Sequence, residues 1–139
     1  MVLIQRPRDG ALLVSEGANP SGEKFQRPLG GHVEFGEYAQ DTARRELREE
    51  IGQELTRVRL ASVLENIFQW DGATQHEIVF VFTAGFADEA AYEVPEQTIL
   101  DSRSRTRVIW RALDAASPPL YPPSLADVAA SGSASNCAR

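Results

Sequence analysis

The sequence contains little sulfur and no long apolar run. Its single cysteine, Cys137, cannot form an internal disulfide, which fits a reducing compartment. No apolar stretch approaches the roughly 20 residues that a membrane-spanning helix needs. The opening segment, MVLIQRPRDG, lacks the pattern of a signal peptide. These absences predict a cytoplasmic protein with no membrane partner.

Positive charge is also scarce. Lysine and arginine total 14 residues against 20 aspartates and glutamates, for a formal net charge of −6. This balance argues against general nucleic-acid binding through a basic surface. It does not exclude a small polyanionic substrate, because bound divalent cations reverse the local sign of a site.

The length of the chain limits its organisation. A chain of 139 residues suits one domain. We expect this domain over residues 1–130. For residues 131–139, SGSASNCAR, we expect a disordered tail, because their composition offers nothing to bury.

Periodicity and turn signals predict a mixture of strands and helices. Two apolar strands flank Asp71-Gly72, a strong hairpin dipeptide. The second of them is apolar on both faces, so we expect it to be central in its sheet and covered on both sides. The expected strands are residues 2–4, 11–14, 60–70, 75–86 and 107–113, with a long, polar, irregular loop over 88–106 and a short helix over 124–130.

A longer helix is expected over residues 38–51, with Gly52 as its left-handed cap residue. On this helix Glu46, Glu49 and Glu50 are spaced i, i+3, i+4 and fall within an arc of about 100°. Such a cluster is typical of a solvated helix face, and it also suits a hard-oxygen site for Mg²⁺ or Mn²⁺. The apolar stripe that defines the helix is Ala39, Ala43, Leu47 and Ile51.

The segment before the helix favours the metal-site interpretation. Residues 31–53, GHVEFGEYAQDTARRELREEIGQ, resemble the box of the Nudix hydrolase family. The family pattern is Gly, five residues, Glu, seven residues, Arg-Glu, an aliphatic residue, any residue, Glu-Glu, any residue, Gly and an aliphatic residue. The fixed matches arise by chance on the order of 10⁻⁸ per register. The residues in register are Gly31, Glu37, Arg45, Glu46, Leu47, Glu49, Glu50 and Gly52.

Two features depart from the family pattern. Gln53 stands where an aliphatic residue is usual, which should carry a small packing cost at the helix end. RPLGG replaces the common PGG before the box, which bears on the shape of that loop. The order of strands around the box still resembles that of the family. The resemblance therefore implies an α/β fold, namely a Nudix-type α/β/α sandwich with a mixed β-sheet.

The resemblance also implies a function. The expected reaction is hydrolysis of a pyrophosphate bond in a nucleoside diphosphate linked to another moiety, with Mg²⁺ as cofactor and Mn²⁺ as a substitute. The implied metal ligands are Glu46, Glu49, Glu50 and the carbonyl oxygen of Gly31. Two alternatives stay open: a Nudix-fold nucleotide-binding or regulatory module without turnover, and a plain metal-binding domain. A homodimer is open as well.

The resemblance implies further roles inside and outside the box. Glu46 would also help to activate the attacking water, Arg45 would orient its neighbours, and Glu37 would support the site through a water or through Arg45. An additional acid is expected from the polar loop, with Glu96 the first choice. The other candidates for this acid are Glu93 and Asp101 in the loop, and Glu65 and the pair His76-Glu77 on the hairpin.

Aromatic and basic residues outside the box are candidates for substrate binding. Phe25, Phe68 and Trp70 would stack on a base, although an aromatic residue in a strand more often belongs to the core. Arg6 or Arg27 would meet a phosphate group.

Overall fold

The computed structural model describes residues 1–100 and 105–136, so Asp101 and Cys137 lie outside the described part. That part consists of two sheets, two α-helices and a short 3₁₀ helix. The elements are β1 (Val2–Ile4), β2 (Leu12–Ala18), β3 (Lys24–Arg27), α1 (Ala39–Ile51), β4 (Leu55–Trp70), β5 (Ala73–Phe86), the 3₁₀ helix (Glu89–Glu93), β6 (Glu96–Thr98), β7 (Arg107–Arg111) and α2 (Leu125–Asn136).

The strands form two sheets of different character. In the first sheet β5 lies between β1, to which it is parallel, and β4, to which it is antiparallel. The second sheet has the order β3-β2-β7-β6 and is antiparallel throughout. The predicted mixed pairing is therefore found in the first sheet, where β5 is central as expected.

Alternate side chains of the strands pack into two different cores. In β1, Val2 and Ile4 belong to the same buried cluster as Leu47 of α1, whereas Leu3 belongs to the cluster of Leu125 in α2. Because successive side chains of a strand lie on opposite faces, the two helices cover opposite sides of the strand layer. The predicted α/β/α sandwich is confirmed.

Helix α1 ends as its sequence predicts. Gly52 adopts the left-handed conformation, with φ of 69°, and its N–H donates to the Arg48 carbonyl at 2.9 Å. The N–H of Gln53 reaches the Leu47 carbonyl at 3.4 Å, so the helix ends without an aliphatic residue at that position. These bonds fix the last turn of α1, which carries Glu49 and Glu50.

The hairpin of β4 and β5 also follows its sequence signal. Asp71 and Gly72 both have positive φ, at 49° and 75°, as the favoured two-residue hairpin turn requires. The expectation that β5 is covered on both sides along its length is wrong, since Ile78 is 53% exposed and Phe80 38% exposed. The reason is length: 14 extended residues span about 46 Å, whereas the helix α1 spans about 20 Å.

Two segments have more regular structure than expected. The polar segment after β5 contains the 3₁₀ helix, capped by the Asp88 carboxylate accepting from the Ala90 N–H, and then β6. Helix α2 runs to Asn136, into the segment expected to be a tail, and the Ser131 hydroxyl donates to the Asp127 carbonyl within it. Over the described ranges, neither α-helix is long and apolar enough to cross a membrane.

Candidate active site

The glycine loop before α1 lies directly against the helix. A Cβ atom at Gly31 would lie 2.1 Å from Glu46 Oε1, so a side chain at this position could not be accommodated without moving Glu46. Gly30 has φ of 149°, and a Cβ atom there would lie 2.7 Å from the Cα atom of Met1. Gly30 is therefore required by its positive φ and by its approach to the Met1 backbone, and a side chain at Gly31 would displace the Glu46 carboxylate.

Arg45 is the centre of an ion-pair network that holds three box glutamates. Its Nε and Nη2 donate to the two carboxylate oxygens of Glu37, at 2.9 and 3.1 Å. Its Nη1 donates to Glu46 Oε1 at 3.0 Å and to Glu49 Oε2 at 3.1 Å. The hydrogen bond from Arg45, and then that from the Thr42 hydroxyl, lower the pKa of Glu37 to about 2. Arg45 thus has the contacts that an orienting residue needs, and its role stays a prediction.

Glu50 is a largely buried carboxylate with an incomplete set of partners. Its Oε2 accepts no hydrogen bond from the described residues, although the Gly30 N–H donates to the carboxylate. Burial, and then the negative charge of Glu46, raise the pKa of Glu50 to about 7. A nearby cation would stabilise the ionised form of such a group.

The structure brings Glu46 and Glu50 together and turns Glu49 toward Arg45. The Glu49 side chain is 51% exposed, against 16% for Glu46. Within the described ranges, no three carboxylate or imidazole groups lie close enough together to hold a metal ion. The donor chemistry still fits a hard divalent cation, because two carboxylates one helical turn apart include a buried oxygen without a hydrogen-bond partner.

A cavity of about 890 Å³ opens beside the glycine loop. Aromatic rings line this cavity, and four of them lie close together. The centroid of the Phe25 ring lies 6.2 Å from that of Trp70 and 6.0 Å from that of Tyr121, and the Phe68 and Tyr121 centroids lie 5.6 Å apart. This volume suits a small-molecule ligand. The aromatic residues that the sequence indicated for base stacking thus line one cavity, and Tyr121 joins them without having been indicated.

A second, smaller cavity of about 240 Å³ is lined by Glu50 and by Glu16 of β2. The Glu16 carboxylate faces the Arg107 guanidinium, with Oε1 2.8 Å from Nη1. Glu16 was missed at the level of sequence, since it follows an apolar run and resembles an ordinary solvent-facing strand residue. Only the pairing of β2 with β3, opposite Gln26, places it near the box helix.

The acids predicted from outside the box are paired with other groups. Glu96 lies on β6 and accepts from Nε and Nη2 of Arg107, both at 2.8 Å, which lowers the pKa of Glu96. The structure does not bring Glu96 into the cavity of Glu50, so its catalytic role stays a prediction. Asp101 lies outside the described residues. The other candidate acids also have polar partners: Glu93 pairs with Arg8, Glu65 with His76, and Glu77 with Asn66. Of these three acids, Glu77 lines the larger cavity.

The two arginines predicted to meet phosphate have different surroundings. Arg6 is engaged by Asp9, at 2.6 Å, and lies over the Trp110 ring at 5.1 Å. Arg27 lines both cavities. Of the two, only Arg27 is placed where a ligand in either cavity would reach it.

The chain is an α/β/α sandwich in which a glycine loop lies against an acidic helix, and this combination can be compared with known families. A family model described as the NUDIX domain matches residues 1–130, and the chain belongs to that family. The resemblance of residues 31–53 to the family box is thereby confirmed.

Solved structures give the same assignment of the fold. The crystal structure of a MutT NUDIX hydrolase from Burkholderia pseudomallei is 25% identical, with a TM-score of 0.62 over 90% of this chain and 92% of that one. The solution structure of the E. coli ORF135 protein is 23% identical, with a TM-score of 0.61 over 99% of this chain and 91% of that one. A comparison with curated proteins gives no match.

Proposed function

We propose that this protein hydrolyses a pyrophosphate bond in a nucleoside diphosphate linked to another moiety, using Mg²⁺ or Mn²⁺. Membership of the NUDIX family and the likeness to a MutT NUDIX hydrolase support hydrolase activity in general. The observation that carries the finer proposal is the pair Glu46 and Glu50, packed against the glycine loop beside a cavity of about 890 Å³. With one cysteine and no apolar span, we place this activity in the cytoplasm.

The cation would be held by Glu46, Glu49, Glu50 and the Gly31 carbonyl oxygen. When bound, it supplies positive charge that offsets the charge developing on the pyrophosphate oxygens. Arg45 fixes the direction of the Glu46 carboxylate before substrate arrives, since one nitrogen binds Glu46 and Glu49 together. Such advance orientation lowers the reorganisation that the reaction would otherwise require.

The larger cavity is suited to the nucleoside. Phe25, Phe68, Trp70 and Tyr121 offer ring faces and edges for stacking, and Glu77 offers a carboxylate that accepts hydrogen bonds from a base. Asn66 donates to Glu77 at 2.9 Å and so restricts its orientation. These side chains support a nucleoside-containing substrate without naming the base.

Phosphate release from a panel of nucleoside-diphosphate compounds tests the proposal. We expect turnover with Mg²⁺ or Mn²⁺ and none in excess chelator, because hard carboxylates form the site. The variant Glu49→Gln should lower kcat about 100-fold or more by removing a charged ligand. Glu54→Gln is the matched control, since Glu54 is exposed, lies just after the same helix and pairs its carboxylate with Arg48.

The outcomes of this panel separate the alternatives. Binding of a nucleoside diphosphate without turnover of any compound would favour a binding module over an enzyme. Turnover in rigorously metal-free protein, or equal kcat in Glu49→Gln and Glu54→Gln, would contradict the role given to the box glutamates.

A further inference from the structure

Arg27 lies where the two cavities described above meet. Both cavities are lined by Phe25, Arg27 and Gly30, while Gly31 lines only the larger one and Glu50 only the smaller one. The junction is therefore beside the glycine loop and the carboxylates of the box helix. A ligand extending from one cavity into the other would pass Arg27.

The guanidinium of Arg27 is uncommitted within the described part of the chain. No hydrogen bond or ion pair joins it to another described residue, and its backbone alone takes part in β3, with the carbonyl accepting from the Ser15 hydroxyl at 3.3 Å. Arg6, Arg45, Arg48 and Arg107, by contrast, each bind a carboxylate. An exposed arginine without such a partner is able to bind a ligand anion.

A simpler interpretation is that Arg27 only balances the charge of Glu50. Its positive charge does act on that carboxylate, opposing the burial that raises the pKa of Glu50. However, Arg27 is exposed and lines both cavities. A residue serving Glu50 alone would have no need to line the larger cavity.

We propose that Arg27 binds the diphosphate group of the substrate at the junction of the two cavities. The nucleoside then occupies the larger cavity, and the group on the far side of the diphosphate points into the smaller one. The guanidinium has several N–H donors in one plane and matches phosphate oxygens in a bidentate manner. This inference rests on the function proposed above and assigns Arg27 to substrate binding, leaving the attack on phosphorus to the box residues.

Imidodiphosphate, a pyrophosphate analogue with a bridging N–H, is the probe. Its binding to the full chain in Mg²⁺ is measured by calorimetry for wild type and for Arg27→Ala, Arg27→Lys and Arg59→Ala. We expect Arg27→Ala to weaken binding about 10- to 100-fold, as for the loss of hydrogen bonds to a charged group. The affinity of Arg27→Lys for imidodiphosphate should lie between those of wild type and Arg27→Ala. Arg59→Ala should leave affinity unchanged, because Arg59 is an exposed strand arginine that lines neither cavity.

Binding of Mn²⁺ alone supplies a readout that a structural role would not produce. Removing the positive charge of Arg27 should leave Mn²⁺ affinity equal or increase it, while affinity for imidodiphosphate falls. Loss of both affinities together would mean that Arg27 only maintains the site, and would overturn the inference. If Arg27→Ala fails to fold by circular dichroism, Arg27→Lys and Arg27→Gln are compared in the same way.

The inference and the proposed function fail in different ways. Turnover of a nucleoside-diphosphate compound by wild type, with unchanged imidodiphosphate affinity in Arg27→Ala, would overturn the assignment of Arg27 alone. Wild type that binds no imidodiphosphate and turns over no compound of the panel would overturn both.

Discussion

The burial of Glu50 leads to a prediction about the metal-free protein. Its carboxylate is largely buried next to Glu46, and one of its oxygens has no hydrogen-bond donor among the described residues. Replacing Glu50 by glutamine removes the charge and keeps an oxygen that can accept from the Gly30 N–H. The substitution should therefore change how stability depends on pH, without removing the contact to the glycine loop.

The sign and size of the effect follow from the pKa of Glu50. Its usual value of 4.5 is raised to about 7 by burial and then by Glu46. An acid whose pKa is raised by folding stabilises the fold below its unfolded pKa, and this stability is lost as pH rises through the folded pKa. The window is therefore pH 4.5 to about 7. The raised pKa of Glu50 corresponds to a loss of about 3 kcal/mol in the free energy of unfolding across this window. Residual solvent contact should reduce this loss to roughly 1–2 kcal/mol.

Urea unfolding in excess chelator, at several pH values from 5 to 8, measures this contribution. The free energy of unfolding of wild type should fall relative to that of Glu50→Gln as pH rises, because only wild type ionises at position 50. Taking the difference between the two proteins removes the contribution of the other titrating groups. Glu49→Gln, which removes a half-exposed carboxylate from the same helix, should not reproduce the trend. Added Mg²⁺ should restore the free energy of unfolding of wild type above pH 7. A difference between wild type and Glu50→Gln that stays constant with pH, or reverses sign, would refute the reasoning.

Three further predictions concern other parts of the molecule. Gly31→Ala should lower kcat about 100-fold, since a Cβ atom there would lie 2.1 Å from Glu46 Oε1 and displace a proposed ligand; normal kcat would contradict that contact. Glu16→Gln should lower kcat more than Glu96→Gln, because Glu16 lines the cavity of Glu50 and Glu96 does not. Steady-state assays at saturating substrate measure this difference. A larger loss of kcat in Glu96→Gln would instead favour Glu96 as the acid outside the box. Truncation after Ala130 should leave the thermal midpoint nearly unchanged, because Leu125 and Ala129, two buried residues of α2, precede the cut. A large fall in the midpoint would show that the removed segment contributes to packing.

The box was predictable from sequence because its geometry is local. Glu46, Glu49 and Glu50 share one helix, so their relative positions follow from helical periodicity alone. Gly52 is a cap by its own conformational freedom, and Asp71-Gly72 is a hairpin turn for the same reason. Each of these features depends on residues within a few positions of one another, and the structure shows the helix, its cap and the hairpin turn where the sequence predicts them.

Features that depend on tertiary pairing could not be read in this way. Glu16 reaches the small cavity through the pairing of β2 with β3, which sets it opposite Gln26. The sequence favours Glu96 because it lies in a long polar segment. In the structure β6 forms there and places Glu96 beside Arg107, and its catalytic role stays a prediction. Sequence distance from the box carries no information about which acid faces it. The position of Tyr121 in the aromatic wall was hidden for the same reason.

The arrangement of charges within the box also divides its glutamates into two groups. Arg45 binds Glu37, Glu46 and Glu49, which fixes those carboxylates at the expense of their freedom to move. Glu50 has no such partner among the described residues, and burial makes its ionised form costly despite the positive charges of Arg27 and the N-terminus. Arg45 holds the first group in position, whereas a bound cation would favour the ionised form of Glu50. Metal affinity should therefore be controlled chiefly by Glu50 and the direction of the bound ligands by Arg45, so Glu50→Gln should weaken Mn²⁺ binding more than Glu37→Gln does.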